Sequence, residues 1–506
     1  MTPPVTLEEL AWLDRCQRRL WLDRNGDTAE RVPPARDAVA RTEANRTHAR
    51  RVVAALAGVT PVPEGTWEDR LAATLELVRA GTPLIAWAAL EAPVGGVVLR
   101  SPIHLLRRTA DRQAPSGYSY QPVDIRLHAE PTRWDRSRID GLRWLVGAAL
   151  AGGCAPPGEL WLGANGAAPA RVYARHGDVR ALGATLAGRH AGVVAGAEPA
   201  IWFDSDHCPF CPWRDACDRV ALGSQDLATL PGLRRSHARA LRHSGVTAVP
   251  QVATLSHAQL AALPDSDGTI ARALQAHAES LQSGRPVSHV SKRSEPAGAG
   301  DGVLFLDIET DPLTRVPWAI GWMGLDGVAV AAVVAPVARP RQVSIAGVAV
   351  TLVRTPAQAW QLAADAVGGP VIHWGDAEML LLARSGAARA RAVVGPWLLD
   401  LHAVISSDVA LPIPRLSTRR SAGLKAVAGW LGYSWPEGAD HWADGWVAYQ
   451  GWRAARRGRR AGAAQVSPGV LAPAMAYLRS DLDALAVVWR WYRAFRDDTQ
   501  APTCER

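Results

Sequence analysis

The run Leu304-Phe-Leu-Asp-Ile-Glu-Thr310 constrains this chain more tightly than any other stretch. Its apolar character reads as a buried strand, and it carries two acids two positions apart. Side chains at i and i+2 of a strand share a face, so Asp307 and Glu309 converge on one point. Two carboxylates that close repel each other unless a cation lies between them. Far downstream, residues Ala472 to Phe495 have helical apolar spacing and carry Tyr477 and Asp481. Positions i and i+4 share a helix face, so a phenol and a third carboxylate also point together. The blander alternative is a strand and a helix that end in solvated acids. The joint occurrence of the two pairs favours a divalent-metal site.

Composition sets the frame. A chain of 506 residues with 48% hydrophobic residues suits a soluble α/β protein of roughly two to four domains. The first ten residues lack a basic region followed by an apolar run, so no secretory signal is expected. No stretch approaches the roughly 18 apolar residues of a membrane span. A cytoplasmic protein with no membrane partner is the expectation. The formal charge of +8 suits a polyanionic partner, DNA or RNA, although many basic proteins bind neither. Nearly all the basic residues are arginine, with lysine only at Lys292 and Lys425. A lysine retained against that drift hints at chemistry a guanidinium does poorly.

Residues 286–302 form a Gly/Ser/Pro-rich stretch without apolar periodicity, which reads as a linker. Ahead of it, residues 1–220 mix helical patterns (7–22, 38–56, 67–79) with strand-like runs (96–99, 120–127, 159–163). Residues 221–285 are helical, with turns at Leu230-Pro-Gly-Leu233 and Ser244-Gly-Val246. They read either as a helix-hairpin-helix-like module, which offers backbone amides to a phosphate, or as a plain helical connector. Arg234 stands where the hairpin signature expects a second glycine. Residues 303–497 form the last domain.

Cys208-Pro-Phe-Cys211 and Cys217 place three thiols in one tight segment, and Cys16 lies far upstream. Four thiolates can hold a [4Fe-4S] cluster or Zn²⁺; unliganded thiols are the remaining alternative. Cys154 and Cys504 fall outside the pattern. A distant cysteine followed by CxxCx5C resembles the iron–sulfur staple of RecB-like nucleases, which include AddB-type helicase–nuclease subunits and CRISPR-associated adaptation nucleases. That resemblance implies a PD-(D/E)xK site within residues 1–220. His48 fits its helical histidine, and Asp124-Ile-Arg126 fits its last element with arginine in place of lysine. His104 stands where the metal-binding acid belongs, and the downstream Gln-x3-Tyr element is missing from residues 138–150. Mg²⁺ prefers oxygen ligands, and arginine is a poor substitute for lysine beside an attacking water. A degenerate site that serves as a DNA-binding scaffold is expected, with a Mn²⁺-dependent residual site at His104 and Asp124 as the other reading.

Residues 303–497 resemble the RNase H-like DEDD exonuclease domain found after a RecB-like region in a family of bacterial nucleases. The resemblance implies a mixed sheet flanked by helices and a site holding two Mg²⁺ or Mn²⁺ ions. Asp307 and Glu309 supply the first motif. Glu378, five residues after His373, supplies the second, with Asp376 as a substitute, and Tyr477 with Asp481 supplies the third. Asp400 matches a position near the site, and Asp483 reads as a solvated helix acid. Lys425 matches a Ser-x3-Lys segment ahead of a helix; it reads as a phosphate contact or as a surface lysine. Arg415, Arg419, Arg420 and the run Arg453, Arg456, Arg457, Arg459 and Arg460 form either a nucleic-acid groove or a solvated face. With 21 tryptophans against 7 tyrosines and 4 phenylalanines, Trp374, Trp430, Trp489 and Trp491 are expected in core. Trp374 could instead stack on a base.

The function implied is a metal-dependent nuclease, a 3′-to-5′ exonuclease acting through the C-terminal domain in repair or processing. Two rivals are a non-catalytic iron–sulfur DNA-binding adaptor with degenerate nuclease folds, and a redox sensor. No GxxxxGK[ST] loop occurs, so a strand-opening motor would have to come from a helicase partner.

Overall fold

The structure, a computed structural model, describes residues 4–34, 36–110, 116–128, 130–150, 157–163, 171–173, 179–204, 207–290, 302, 303–311, 315–417, 423–436, 442–457 and 467–497. The chain is mixed α/β and divides into two compact units. One comprises residues 1–200 with 211–213, the other residues 201–210 and 214–506. The helical segment 221–285 therefore belongs to the same unit as residues 303–497. Residues 291–301 of the expected linker lie outside the described residues, as do Lys292, Cys154, Cys504, Arg419, Arg420, Arg459 and Arg460. Among the described residues, no helix is long and apolar enough to cross a membrane.

The first unit is built on a seven-stranded mixed sheet. Leu84–Val94 and Val97–Ala110 form a long antiparallel hairpin. Its turn residues Gly95 and Gly96 have φ of +52° and +83°, the left-handed conformations that a two-residue hairpin turn needs. The sequence pattern located only the start of the second strand, because both strands are buried along much of their length and alternate poorly. Tyr118–Arg126 pairs antiparallel with the hairpin and parallel with Gly158–Leu162. Helix Arg133–Leu150 covers one face, where Ile139, Leu142 and Leu145 meet Tyr120 and Leu106. Helix Arg36–Ala54 covers the other, where Ala49, Val52 and Val53 meet Val123 and Ile125. The helical pattern over 7–22 is in fact three short helices. Cys16 interrupts it with extended backbone (φ −155°, ψ 97°), and its Sγ accepts the Arg19 N–H at 3.4 Å to cap helix Gln17–Asn25.

In the second unit, helices Arg235–His243, Val249–Ala253, His257–Ala261 and Gly268–Ser283 pack around Leu230, Leu241, Val252, Leu260 and Leu274. Val287–Ser288, just beyond them, pairs antiparallel with Val409–Ala410 in a separate two-stranded sheet, and a seven-stranded sheet forms the rest of the unit's described β structure.

That sheet has seven strands in the order 341–345, 348–353, 329–334, 317–324, 304–310, 371–373, 398–400. Strand Leu304–Thr310 is an interior strand, antiparallel to Pro317–Gly324 and parallel to Val371–His373. Leu304 and Leu306 join Ile320, Trp360 and Ala363 in the core under helix Pro356–Asp365. The alternate side chains, Phe305, Asp307 and Glu309, face the other way. That face is covered by the 26-residue helix Ala472–Asp497. Gly321 lies opposite Asp307 in the sheet register. A Cβ there would stand 2.8 Å from Cγ and Cδ2 of Leu478. The missing side chain is what lets the helix seat directly over the acidic strand.

Candidate metal centre

Strand pleat and helix pitch bring the two acidic pairs to one place. One carboxylate oxygen from each of Asp307, Glu309 and Asp481 lies within 4.8 Å of the others. Glu309 and Asp481 are each 8% exposed, and Asp307 is half-buried. Burial, then the charges of Asp481, Glu309 and Glu378, push the Asp307 carboxyl well above the usual range. Burial and Asp481 raise Glu309 to about 8 against the opposing pull of Lys425. Burial likewise raises Asp481, although hydrogen bonds from Trp435 and Tyr477 and the charge of Lys425 act the other way. Three carboxylates held this close and largely withdrawn from solvent favour either protonation or a cation. The donor set is all oxygen, as Mg²⁺ and Mn²⁺ prefer.

Tyr477 lies one helical turn before Asp481 and is hydrogen-bonded to it. Burial and the three neighbouring carboxylates push its phenol well above 10, so the hydroxyl keeps its proton and donates. Lys425, in helix Leu424–Trp430, holds Nζ 4.7 Å from the Tyr477 ring centre and 5.4 Å from that of Trp435, within cation–π range. The retained lysine therefore stands at the acidic cluster.

Of the two acids proposed for the second motif, Glu378 is buried and Asp376 exposed. Only Glu378 is among the charges that raise Asp307. Its Oε2 is 3.3 Å from Nδ1 of the fully buried His373. The pair is nevertheless not hydrogen-bonded: Oε2 and both ring nitrogens are buried without a partner. Asp400 has a structural task. Its Oδ1 accepts the N–H groups of Gly375 at 2.8 Å and Ala403 at 3.2 Å, which caps helix Leu401–Asp408 and pins the turn leading to Glu378. Asp483 pairs with Arg479 at 3.5 Å.

The sequence reading missed Trp435. Its Nε1 donates to Asp481 Oδ1 at 2.7 Å. Tyr433 packs edge-on against it at 4.9 Å and donates to the Ser480 carbonyl. The Tyr433-Ser-Trp435 segment has no periodicity that ties it to the C-terminal helix, so only the fold reveals the contact. Arg415 departs from the expected basic groove. It is directed into the helical module, where it donates to the carbonyls of Ala228 and Leu233 and lies 4.2 Å from the Trp202 ring centre.

In the first unit Asp124 is fully buried among cations. Arg126 Nε is 2.8 Å and Arg138 Nε 3.3 Å from its carboxylate, and His104 Nδ1 is 2.9 Å away. Burial pushes this acid up, but Arg126, Arg138 and His104 outweigh it and hold the carboxyl well below its ordinary range. His48 lies on helix Arg36–Ala54, which covers the opposite sheet face. Its ring neighbour is Arg51 at 3.1 Å, and burial together with that charge lowers its pKa. Cys16 and Cys211 lie within this unit, Cys208 and Cys217 within the other. The Cys208 Sγ accepts the Asp204 N–H at 3.2 Å.

No protein-family model and no curated protein matches this chain.

Proposed function

We propose that this chain is a metal-dependent nuclease that hydrolyses phosphodiester bonds of DNA or RNA through its C-terminal domain, as a 3′-to-5′ exonuclease of the RNase H-like DEDD type. The observation that carries the reading is the convergence of one carboxylate oxygen each from Asp307, Glu309 and Asp481 within 4.8 Å of one another, with Glu309 and Asp481 buried. An interior strand and a covering helix supply these acids, and Tyr477 is hydrogen-bonded to the third. Divalent cations bound there supply an activated water and charge for the departing 3′ oxygen. Asp307, Glu309 and Asp481 would hold these ions. Glu378, whose Oε2 makes no hydrogen bond and lies 3.3 Å from His373 Nδ1, would serve them directly or through water. The protonated Tyr477 orients the attacking water, and Lys425 faces the substrate phosphate. Fixed charge and geometry perform the catalysis without a covalent intermediate.

The first unit fits a scaffold role in this reading. Asp124 is already paired with the two guanidinium groups of Arg126 and Arg138, so it has little charge left to offer a cation. The spacing of Cys16, Cys208, Cys211 and Cys217 supports a [4Fe-4S] cluster, with Zn²⁺ as the alternative. The backbone N–H groups donated to Cys16 and Cys208 sulfur suit thiolate ligands. Broad visible absorption that bleaches on reduction would identify the cluster. A helicase partner would supply single strands.

Calorimetric titration with Mn²⁺ tests the centre. Wild type should bind, and Asp481→Asn should bind far more weakly. Equal binding by the two would remove the basis of the proposal.

A further inference from the structure

The second unit contains a cavity of about 340 Å³ that the mechanism above does not use. Gly232, Arg234 and His277 of the helical module line one side, and Trp374, His402 and Val427 of the sheet domain the other. Its size lies in the range of small-ligand pockets, which are mostly apolar with a few converging polar groups. We propose that this cavity receives one unstacked base of the single strand whose 3′ end reaches the acidic cluster, an inference that rests on the nuclease reading.

Three observations carry it. The first is shared construction. The turn after strand Val371–His373 gives Trp374 to the cavity and leads into the helix that gives Glu378 to the acidic cluster. Helix Leu424–Trp430 gives Val427 to the cavity and Lys425 to the cluster. The cavity and the cluster are therefore flanked by the same two elements, on different sides of helix Leu424–Trp430. The second is the character of the walls. The Trp374 and His402 rings lie 5.6 Å apart at 53°, and every base has a π face on which an aromatic can stack. None of the described lining residues is acidic, while Arg234 is cationic, which suits a polyanion. The third is an unmet hydrogen bond. Nδ1 of His277 is buried with no partner, and burial with the neighbouring His289 holds the ring neutral, with a pKa lowered to about 3. A single unmet ring nitrogen of a neutral imidazole can make one hydrogen bond, which one polar atom on a base edge can complete.

The test is an abasic scan. Short 5′-fluorescein DNA and RNA strands, each with one abasic nucleotide stepped inward from the 3′ end, are titrated with full-length protein in chelator and followed by anisotropy. Wild type should lose roughly 5- to 100-fold affinity at one position, as expected for loss of one base–aromatic stack. The profile of Trp374→Ala should be flat, and Trp374→Phe, which keeps a ring, should retain the dip. A dip in the DNA series, the RNA series or both identifies which strand is seated. A flat wild-type profile, or the same dip in Trp374→Ala, overturns the pocket. If such a wild type still cuts strands with Mg²⁺, the nuclease reading survives alone. A wild-type dip without any metal-dependent cleavage keeps the pocket and overturns the nuclease reading. A wild type that binds neither nucleic acid overturns both.

Discussion

Gly321→Ala should unseat the helix that carries Tyr477 and Asp481. The added Cβ would stand 2.8 Å from Cγ and Cδ2 of Leu478 and 3.0 Å from Cδ1, whereas carbon atoms rest at about 3.5–4.0 Å. Three contacts are therefore each too short by roughly 0.5–1.2 Å. Leu478 is 1% exposed and has no open side to swing towards, so either it leaves its rotamer or the helix lifts. Overpacking of this kind costs about 1–3 kcal/mol, or a few degrees in Tm for a domain of this size. The effect on rate should be larger, because misplacing catalytic groups by about 1 Å can cost on the order of 100-fold. Thermal melts and strand-cleavage rates of Gly321→Ala, Leu478→Ala and the double variant form a cycle. Leu478→Ala alone should cost about 2–5 kcal/mol, and adding Gly321→Ala to it should cost almost nothing further. If Gly321→Ala is equally harmful in both backgrounds, the close approach is not what seats the helix.

Other consequences follow from the same geometry. Trp435→Phe keeps the ring but removes the donor to Asp481, and it should weaken Mn²⁺ binding roughly 10- to 100-fold by calorimetry, as second-layer substitutions at metal sites commonly do. Glu378→Gln should slow strand cleavage, and Asp376→Asn should leave it unchanged; the reverse pattern would reassign the second-motif acid. Asp124→Asn should destabilise the first unit by about 1–3 kcal/mol, since Arg126 is left with Asp135 at 3.6 Å and Arg138 with Glu8 as acidic partners, without altering cleavage. The acid limb of stability should report the same cluster. Asp124 is held well below its ordinary value of 3.8, and Glu9 at about 2 instead of 4.5, where burial is outweighed by His190 and Arg24. Because both folded-state values are depressed, their stabilisation is complete above the ordinary values and is lost as pH falls through the depressed ones. Unfolding of the first unit should therefore be displaced towards pH 2, and Asp124→Asn should move it upward.

The acidic cluster was legible because its residues obey local rules. A period of two placed Asp307 with Glu309, and a spacing of four placed Tyr477 with Asp481. Helix Trp67–Arg79 likewise matches its pattern, since Thr66 and Asp69 form a reciprocal cap at its start. What stayed hidden depends on contacts that no local spacing encodes. Trp435 reaches Asp481 from a loop without periodicity, and Arg415 turns into the helical module although its sequence neighbours are basic. Strand Leu84–Val94 escaped notice because its burial leaves little alternation to read. Cys16 illustrates the intermediate case: its place in a thiol pattern was visible, but not its interruption of the helix.

Degradation of 5′-labelled single-stranded DNA and RNA with Mg²⁺ or Mn²⁺ tests the central claim most directly, with wild type run beside Asp307→Asn and Asp124→Asn. Wild type and Asp124→Asn should produce the same metal-dependent ladder of shortening products, and Asp307→Asn should produce none. A ladder that survives Asp307→Asn and disappears in Asp124→Asn would contradict the account and return the chemistry to the first unit.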